Sequence, residues 1–334
     1  MRIGLSYDLK EAIPPRDDAP EDAFEEYDPP ETVEFVVSAL EAKGHTVTKL
    51  GGGLEFVDTI RCSEVDIVFN IAEGRGTYRS RESQVPSILE MLDIPYTGSD
   101  PQCLSICLDK PLVKKLLVSD GINTPKWLII ANGAELYQTA WNEFPFPAII
   151  KPAYEGSSKG IRLDSIVNST EQAIRTAQKL LTYYRQPVMV EEFINGDEIT
   201  IGLMGNFPPK ILGMMRILPR KKDSPFVYSV EVKRDWKTLV DYECPAHIEN
   251  KIWNTLSDSS LKIFKSLECR DFARVDFRVS RDGEPYFIEI NPLPGLGSYS
   301  DLVIMAIKMG WSHEKLISAI LDSAFERYPQ FACV

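Results

Sequence analysis

Apolar and polar positions change period repeatedly along this chain, and those changes divide it. Residues 1–7 alternate as a first strand. The Pro- and acid-rich stretch 8–30 breaks the pattern and predicts an ordered loop or a mobile flap. Thr32 then caps a helix, VEFVVSALEAKG, that Gly44 stops. HTVTKL and VDIVFNI follow as strands, the second apolar enough for a buried parallel sheet. SQVPSILEMLD predicts a helix and IPYTGSD a return to the sheet edge. This alternation is the rhythm of an open α/β domain, ending near residue 108.

The pattern restarts at LDKPLVKKLLVSDG, an amphipathic helix closed by Gly121. TPKWLII and FPAIIKPAY are strands, EGSSKGI is a small-residue loop, IRLD is a strand end, and STEQAIRTAQKLLTYY is a helix. VMVEEFINGDEITIGLMG continues as strand, turn and strand. The segmentation is an N-terminal open α/β domain over 1–108, a central α+β lobe over 109–192 and a C-terminal domain over 193–334.

One stretch of the C-terminal domain organises the rest. FARVDFRV and PYFIEIN flank Arg281-Asp282-Gly283, a strong hairpin signal. Side chains alternate along a strand, so Arg274, Asp276 and Arg278 share a face, as do Phe287, Glu289 and Asn291. If the polar faces coincide, two carboxylates and an amide oxygen form a hard-ligand set of the kind Mg²⁺ takes beside phosphate, with Arg274 next to it for developing negative charge.

Composition narrows the classes. Among 334 residues, 44% are hydrophobic and 26% charged, which is ordinary for a globular chain. The net charge of −12 argues against nucleic-acid or anionic-membrane partners, so an anionic ligand must be held by local Lys and Arg. The start lacks a basic region and an apolar core of the secretory type, and no apolar run spans a membrane. Cys62, Cys103, Cys107, Cys244, Cys269 and Cys333 form no CxxC pair, which predicts a reduced, cytoplasmic protein. The three histidines are too dispersed for a His-based metal site.

Further polar residues punctuate the apolar strands. Lys151 ends FPAIIKP beside the Gly/Ser loop, a pairing suited to phosphate. Glu191, Glu192 and Glu198 lie around a turn whose backbone can face a base while a carboxylate takes ribose hydroxyls. Lys110 and Lys233 are further candidate phosphate contacts.

FNIAEGRG, IPYTGSD, LSICLDK, IIKPAYEGSSKGI, VEEFINGDEIT, EVK, ARVDF, FIEINPLPG and SYS follow one another in an order that resembles the ATP-grasp superfamily, and within it the D-alanine–D-alanine ligases. The resemblance implies a three-domain ATP-grasp fold, α/β with α+β lobes, holding ATP between the central and C-terminal lobes. Lys110 and Lys151 would contact phosphates, Glu191, Glu192, Phe193 and Ile194 would face adenine, and Glu198 would take the ribose. Asp276, Glu289 and Asn291 match ligands of two Mg²⁺ ions, for which Mn²⁺ can substitute. Arg274 matches the arginine that stabilises the intermediates, Ser157 a loop serine that closes the site, and Lys233 a mobile-loop lysine that reaches the γ-phosphate. Ser298 and Ser300 match positions near the second substrate's carboxylate. The implied activity is ADP-forming amide-bond formation through an acyl phosphate on small-molecule substrates, in a homodimer.

The resemblance breaks where the first substrate would bind. The family's N-terminal glutamate has no match, leaving Glu26, Asp28 and Glu31 as substitutes. Glu73 stands for a histidine, Tyr78-Arg79-Ser80-Arg81-Glu82 for a Gly-Glu-Asp stretch, and Arg234 for a tyrosine. Arg79, Arg81 and Arg234 either hold an extra anionic group on the substrate or pair with Glu73, Glu82 and Asp235 in a structural network. The substrate is therefore expected to differ from D-alanine. A ligase acting on a non-amino-acid partner such as mycosporine-glycine is one alternative, and a silent ATP-binding regulator is another.

Overall fold

A computed structural model describes residues 1–14, 19–221 and 225–331. Residues 15–18 of the acidic stretch and Cys333 lie outside it. The strands form three sheets. β1 (Arg2–Ser6), β2 (Thr46–Gly51) and β3 (Ile67–Asn70) are parallel in the order β2-β1-β3, and Tyr96 adds a parallel bridge to Val68. β3 is buried throughout, as its unbroken apolar run requires.

The second sheet is antiparallel and contains β4 (Trp127–Ile130), β5 (Ala148–Pro152), β6 (Ile166–Val167) and β7 (Val188–Glu192), ordered β4-β7-β5-β6. The third holds β8 (Gly196–Met204), β9 (Lys210–Pro219), β10 (Val240–Glu243), β11 (Phe272–Ser280) and β12 (Pro285–Asn291), ordered β10-β9-β8-β11-β12. Helix and sheet combine in three units, one around each sheet. The chain's end packs on its beginning. Leu302, Leu316, Ile317 and Ile320 of the last two long helices share a core with Ile3, Leu5, Val36 and Leu40.

Several elements differ from the sequence expectations. The first long helix runs Pro30–Glu41, so Thr32 lies inside it, and Pro30 takes the first turn where a missing N–H is harmless. Residues 161–164 are irregular; the short strand begins only at Ile166. Helices Gly53–Ile60 and Pro101–Leu108 were not foreseen. Two successive caps set the second of these and its successor. Asp100 accepts from Cys103 N at 2.9 Å, and Asp109 accepts from Leu112 N at 3.1 Å to start the helix Lys110–Ser119. Lys110 is thereby fixed at a helix start, with its side chain buried.

The acidic stretch is an ordered strap laid across the central lobe. Asp22 accepts from Tyr184 Oη and, at 2.9 Å, from Gly160 N. Glu26 is fully enclosed, pairing with Arg81 at 2.7 Å and Lys159 at 2.8 Å.

Candidate active site

The β11–β12 hairpin brings its polar residues together, though by a different alternation from the simple one. Arg274 lies opposite Asn291 and Asp276 opposite Glu289, then the register shifts so that Phe277 faces Phe287. Ile288 is the extra residue of a β-bulge. It turns Phe287 away from Glu289 and Asn291 into the core, where its ring meets Phe277 edge-on at 6.1 Å. Phe287 and Glu289 therefore occupy opposite faces, against strict alternation.

On the polar face Asp276 is the hub. Arg274 Nη2 donates to its Oδ2 at 2.9 Å and Asn291 Nδ2 to the same oxygen at 3.2 Å, while Thr200 donates to Oδ1. Arg274 also reaches Asp301 at 3.5 Å, and Tyr228 Oη donates to Asp301 at 2.9 Å. Glu289 lies 3.4 Å from Lys110 Nζ. Burial opposes ionisation of Glu289, but Lys110, Lys151, Arg274 and Lys233 outweigh it and hold the carboxyl at about 2. A carboxylate ionised this firmly, beside Asp276 and the Asn291 amide, offers the hard oxygen donors that Mg²⁺ prefers.

Lys233 sits in a short helix, Val230–Arg234, with its ammonium 5.2 Å above the Tyr228 ring. Burial and Arg274 push its pKa down. Lys151 Nζ donates to Glu191 at 2.9 Å, and Lys114 meets the other oxygen of that carboxylate at 2.8 Å. Glu191 thus spends its charge on two lysines, and only its backbone is left for a base. Burial pushes Lys114 down to about 8. Glu198 is raised to about 7 by burial, which Arg278 at 3.0 Å only partly offsets. Arg278 also donates to Ile194 O at 2.7 Å and stacks over Phe193 at 4.5 Å. Ile149, Phe193 and Val227 supply an apolar slot beside these groups.

A second cavity of about 430 Å³ opens beyond Arg274 and Lys233. Ser157, Glu73 and Ser300 line it, together with Glu26, Tyr27 and Asp28 of the strap. Ser157 holds a left-handed backbone, φ 50°. Burial raises Asp28 to about 7, and burial with neighbouring Glu82, Glu26 and Asp28 pushes Glu73 well above the usual carboxylate range.

Three predicted substrate contacts lie elsewhere. Arg81 has no exposed side-chain surface; it is held by Glu26, by Glu155 at 3.2 Å and by Tyr154 O at 2.9 Å. Arg79 points outward, 66% exposed, to Asp109 at 3.4 Å. Ser298 is exposed and outside the cavity lining. Arg234 borders the cavity, yet its guanidinium is taken by Glu21 at 2.7 Å and Glu25 at 2.8 Å. Its partners are acids of the strap, and neither Glu73, Glu82 nor Asp235 plays that part for any of the three arginines.

Lys114, Arg278, Asp301 and Tyr228 also join the site, beyond the residues given a role from the sequence. The first two carried a signal. Lys114 lies one helical turn after Lys110, and Arg278 alternates with Arg274 and Asp276. Asp301 and Tyr228 carried none, since only the tertiary fold brings them to Arg274.

An apolar slot between two antiparallel sheets, ending in lysines, paired carboxylates and an arginine, has the features of an ATP-grasp enzyme. The profile of the family described as D-ala D-ala ligase C-terminus matches residues 116–322. A D-alanine–D-alanine ligase of Aquifex aeolicus is 37% identical over 290 residues, covering 87% of this chain and 93% of that protein. An uncharacterised protein of Sinorhizobium fredii, y4sG, is 35% identical over 302 residues, covering 88% of this chain and 87% of its own length. A Bacillus anthracis D-alanine–D-alanine ligase solved with ATP superposes with a TM-score of 0.76 at 23% identity, over 98% of each chain. The chain belongs to the D-alanine–D-alanine ligase family. It is an ATP-dependent, ADP-forming carboxylate–amine ligase acting on small molecules.

Proposed function

We propose that the chain joins two amino-acid-type substrates, activating the carboxylate of the first as an acyl phosphate. The observation that carries this reading is the acidic wall of the second cavity. Asp28 and Glu73 line it together with Arg274 and Lys233. A substrate ammonium would replace the proton that burial keeps on these acids, while its carboxylate pairs with the cations.

The residues at the other end fit a nucleotide and a hard metal ion. Lys110, Lys151 and Lys233 would meet phosphate oxygens, Glu198 the ribose, and the Ile149–Phe193–Val227 slot the base. Asp276, Glu289 and Asn291 would hold Mg²⁺, which lowers the charge barrier between a carboxylate and a phosphate when bound. The slot encloses only about 70 Å³ as it stands, so the two sheets part to admit a nucleotide. Arg274 then stabilises negative charge on the activated carboxyl, and Ser157 and the strap keep water from it. Two metal ions, and Mn²⁺ in their place, remain expectations of the same reading, as do cytoplasmic residence and a dimer.

An extra anionic group on the substrate loses two of its three expected arginines, because Arg81 and Arg79 do not border the cavity. The amino-acid reading is accordingly preferred over an acceptor of the mycosporine type. Its test is Glu73→Gln and Asp28→Asn. Each is expected to raise KM for the first amino acid about tenfold or more and to leave KM for ATP near the parent value. Equal changes in both constants, or none, would remove the ammonium assignment.

A further inference from the structure

On the apolar side of the β11–β12 hairpin, in the core that contains Phe277 and Phe287, three thiols converge. Cys103 and Cys107 lie one turn apart on the helix Pro101–Leu108 and so share a face. Cys269 comes from the short link between the helix Asn250–Ser266 and β11. All three are buried. Cys103 Sγ lies 3.8 Å from Cys107 Sγ and 3.6 Å from Cys269 Sγ, and the three sulfurs fall within 4.8 Å of one another.

The two shorter separations, 3.6 and 3.8 Å, come close to the edges of a metal–thiolate polyhedron. Metal–sulfur bonds of about 2.3 Å in tetrahedral or trigonal geometry place sulfurs roughly 3.8–4.0 Å apart. A disulfide instead demands about 2.05 Å. No histidine or carboxylate joins the set among the described residues, so the donors are uniformly soft. Cys107 also borders a polar cavity of about 50 Å³ that Glu289, Asn291 and Lys110 line.

We propose that Cys103, Cys107 and Cys269 form a tris-thiolate site for a thiophilic closed-shell metal ion, Zn²⁺ or Cu⁺, distinct from the carboxylate site on the hairpin's other face. Loading releases the thiol protons to solvent and forms three metal–sulfur bonds with no change in oxidation state. The site joins the helix leading directly into Lys110 to the strand that carries Arg274 and Asp276. A bound ion therefore fixes the phosphate-binding lysine relative to the catalytic hairpin. This inference does not depend on which amino acids the enzyme joins.

The test uses the full, reduced chain in excess Mg²⁺, which fills hard-oxygen positions, with Zn²⁺, Cu⁺ and Cd²⁺ added separately. Native mass spectrometry is expected to show one chelator-removable ion per chain. Cd²⁺ is expected to give a thiolate charge-transfer band in the ultraviolet, and Zn²⁺ or Cu⁺ to raise the unfolding midpoint. In the unaltered chain, bound metal should slow alkylation of Cys103, Cys107 and Cys269 together and leave exposed Cys62 unaffected. Cys103→Ser and Cys269→Ser should lose the band, and Cys62→Ser should keep it. The assignment is overturned if the unaltered chain takes up no thiophilic ion, if the band survives Cys269→Ser, or if alkylation of the three thiols ignores the metal.

Discussion

Arg81 shows how far a single side chain can lie from the role its chemistry suggests. Its guanidinium is enclosed with Glu26, Glu155 and Lys159, four charges in one buried network. Removing one member strands the others without solvent. Arg81→Ala is expected to cost about 3–5 kcal/mol in urea unfolding, whereas exposed Arg79→Ala changes stability by less than about 0.5 kcal/mol. Asp28 sits at the opposite extreme, buried with a pKa of about 7. An unfolded aspartate loses its proton near pH 4. Between about pH 4 and 7 the folded chain binds the extra proton, so stability falls as pH rises, and Asp28→Asn should flatten that slope in thermal unfolding. Glu289, held at about 2, acts in the other direction: its contribution is present above about pH 4 and is lost only as pH falls through 2. Ammonium binding needs ionised Asp28, so KM for the first substrate is expected to fall as pH rises through 7.

The β11–β12 hairpin is the element on which the proposed chemistry rests, and its turn was legible from Asp282-Gly283 alone. The bulge was not. PYFIEIN reads as plain alternation, and only packing of Phe287 against Phe277 shows that Ile288 is the residue to be accommodated. Deleting Ile288 should force either Phe287 out of the core or Glu289 into it. Loss of Mg²⁺-dependent turnover by more than about 100-fold is expected, with Ile288→Ala, which keeps the bulge, retaining most activity. Kinetics of the two variants decide this. Local signals likewise pointed to Lys110, Lys151 and Lys233, which the fold gathers around Glu289. The strap was opaque for a different reason. Arg81 and Glu26 are 55 residues apart, and Tyr184 and Asp22 are 162 apart, so no local pattern could pair them.

Across the whole molecule, buried Asp271 is a joint between segments around Gly98, Asn206 and Arg327 that are far apart in sequence. It accepts from Gly98 N at 2.7 Å, from Asn206 Nδ2 at 3.1 Å and from Arg327 at 2.7 Å. Asp271→Ala should lower stability by about 3–5 kcal/mol, measured by denaturant unfolding, because Arg327 and two amide donors lose their acceptor together. The three-sheet arrangement that this joint supports leaves two cavities that share Arg274, Lys233, Tyr228 and Asp301 in their linings, one with the features of a nucleotide slot and one lined by both acids and cations. The most direct test of the reading is ADP release from Mg²⁺–ATP across D- and L-amino acids, singly and in pairs, with the product weighed by mass spectrometry. Turnover with a pair of amino acids, yielding a product of their summed mass less one water, is the predicted result. ADP release that ignores every amino acid but responds to an acid lacking an amino group would contradict it.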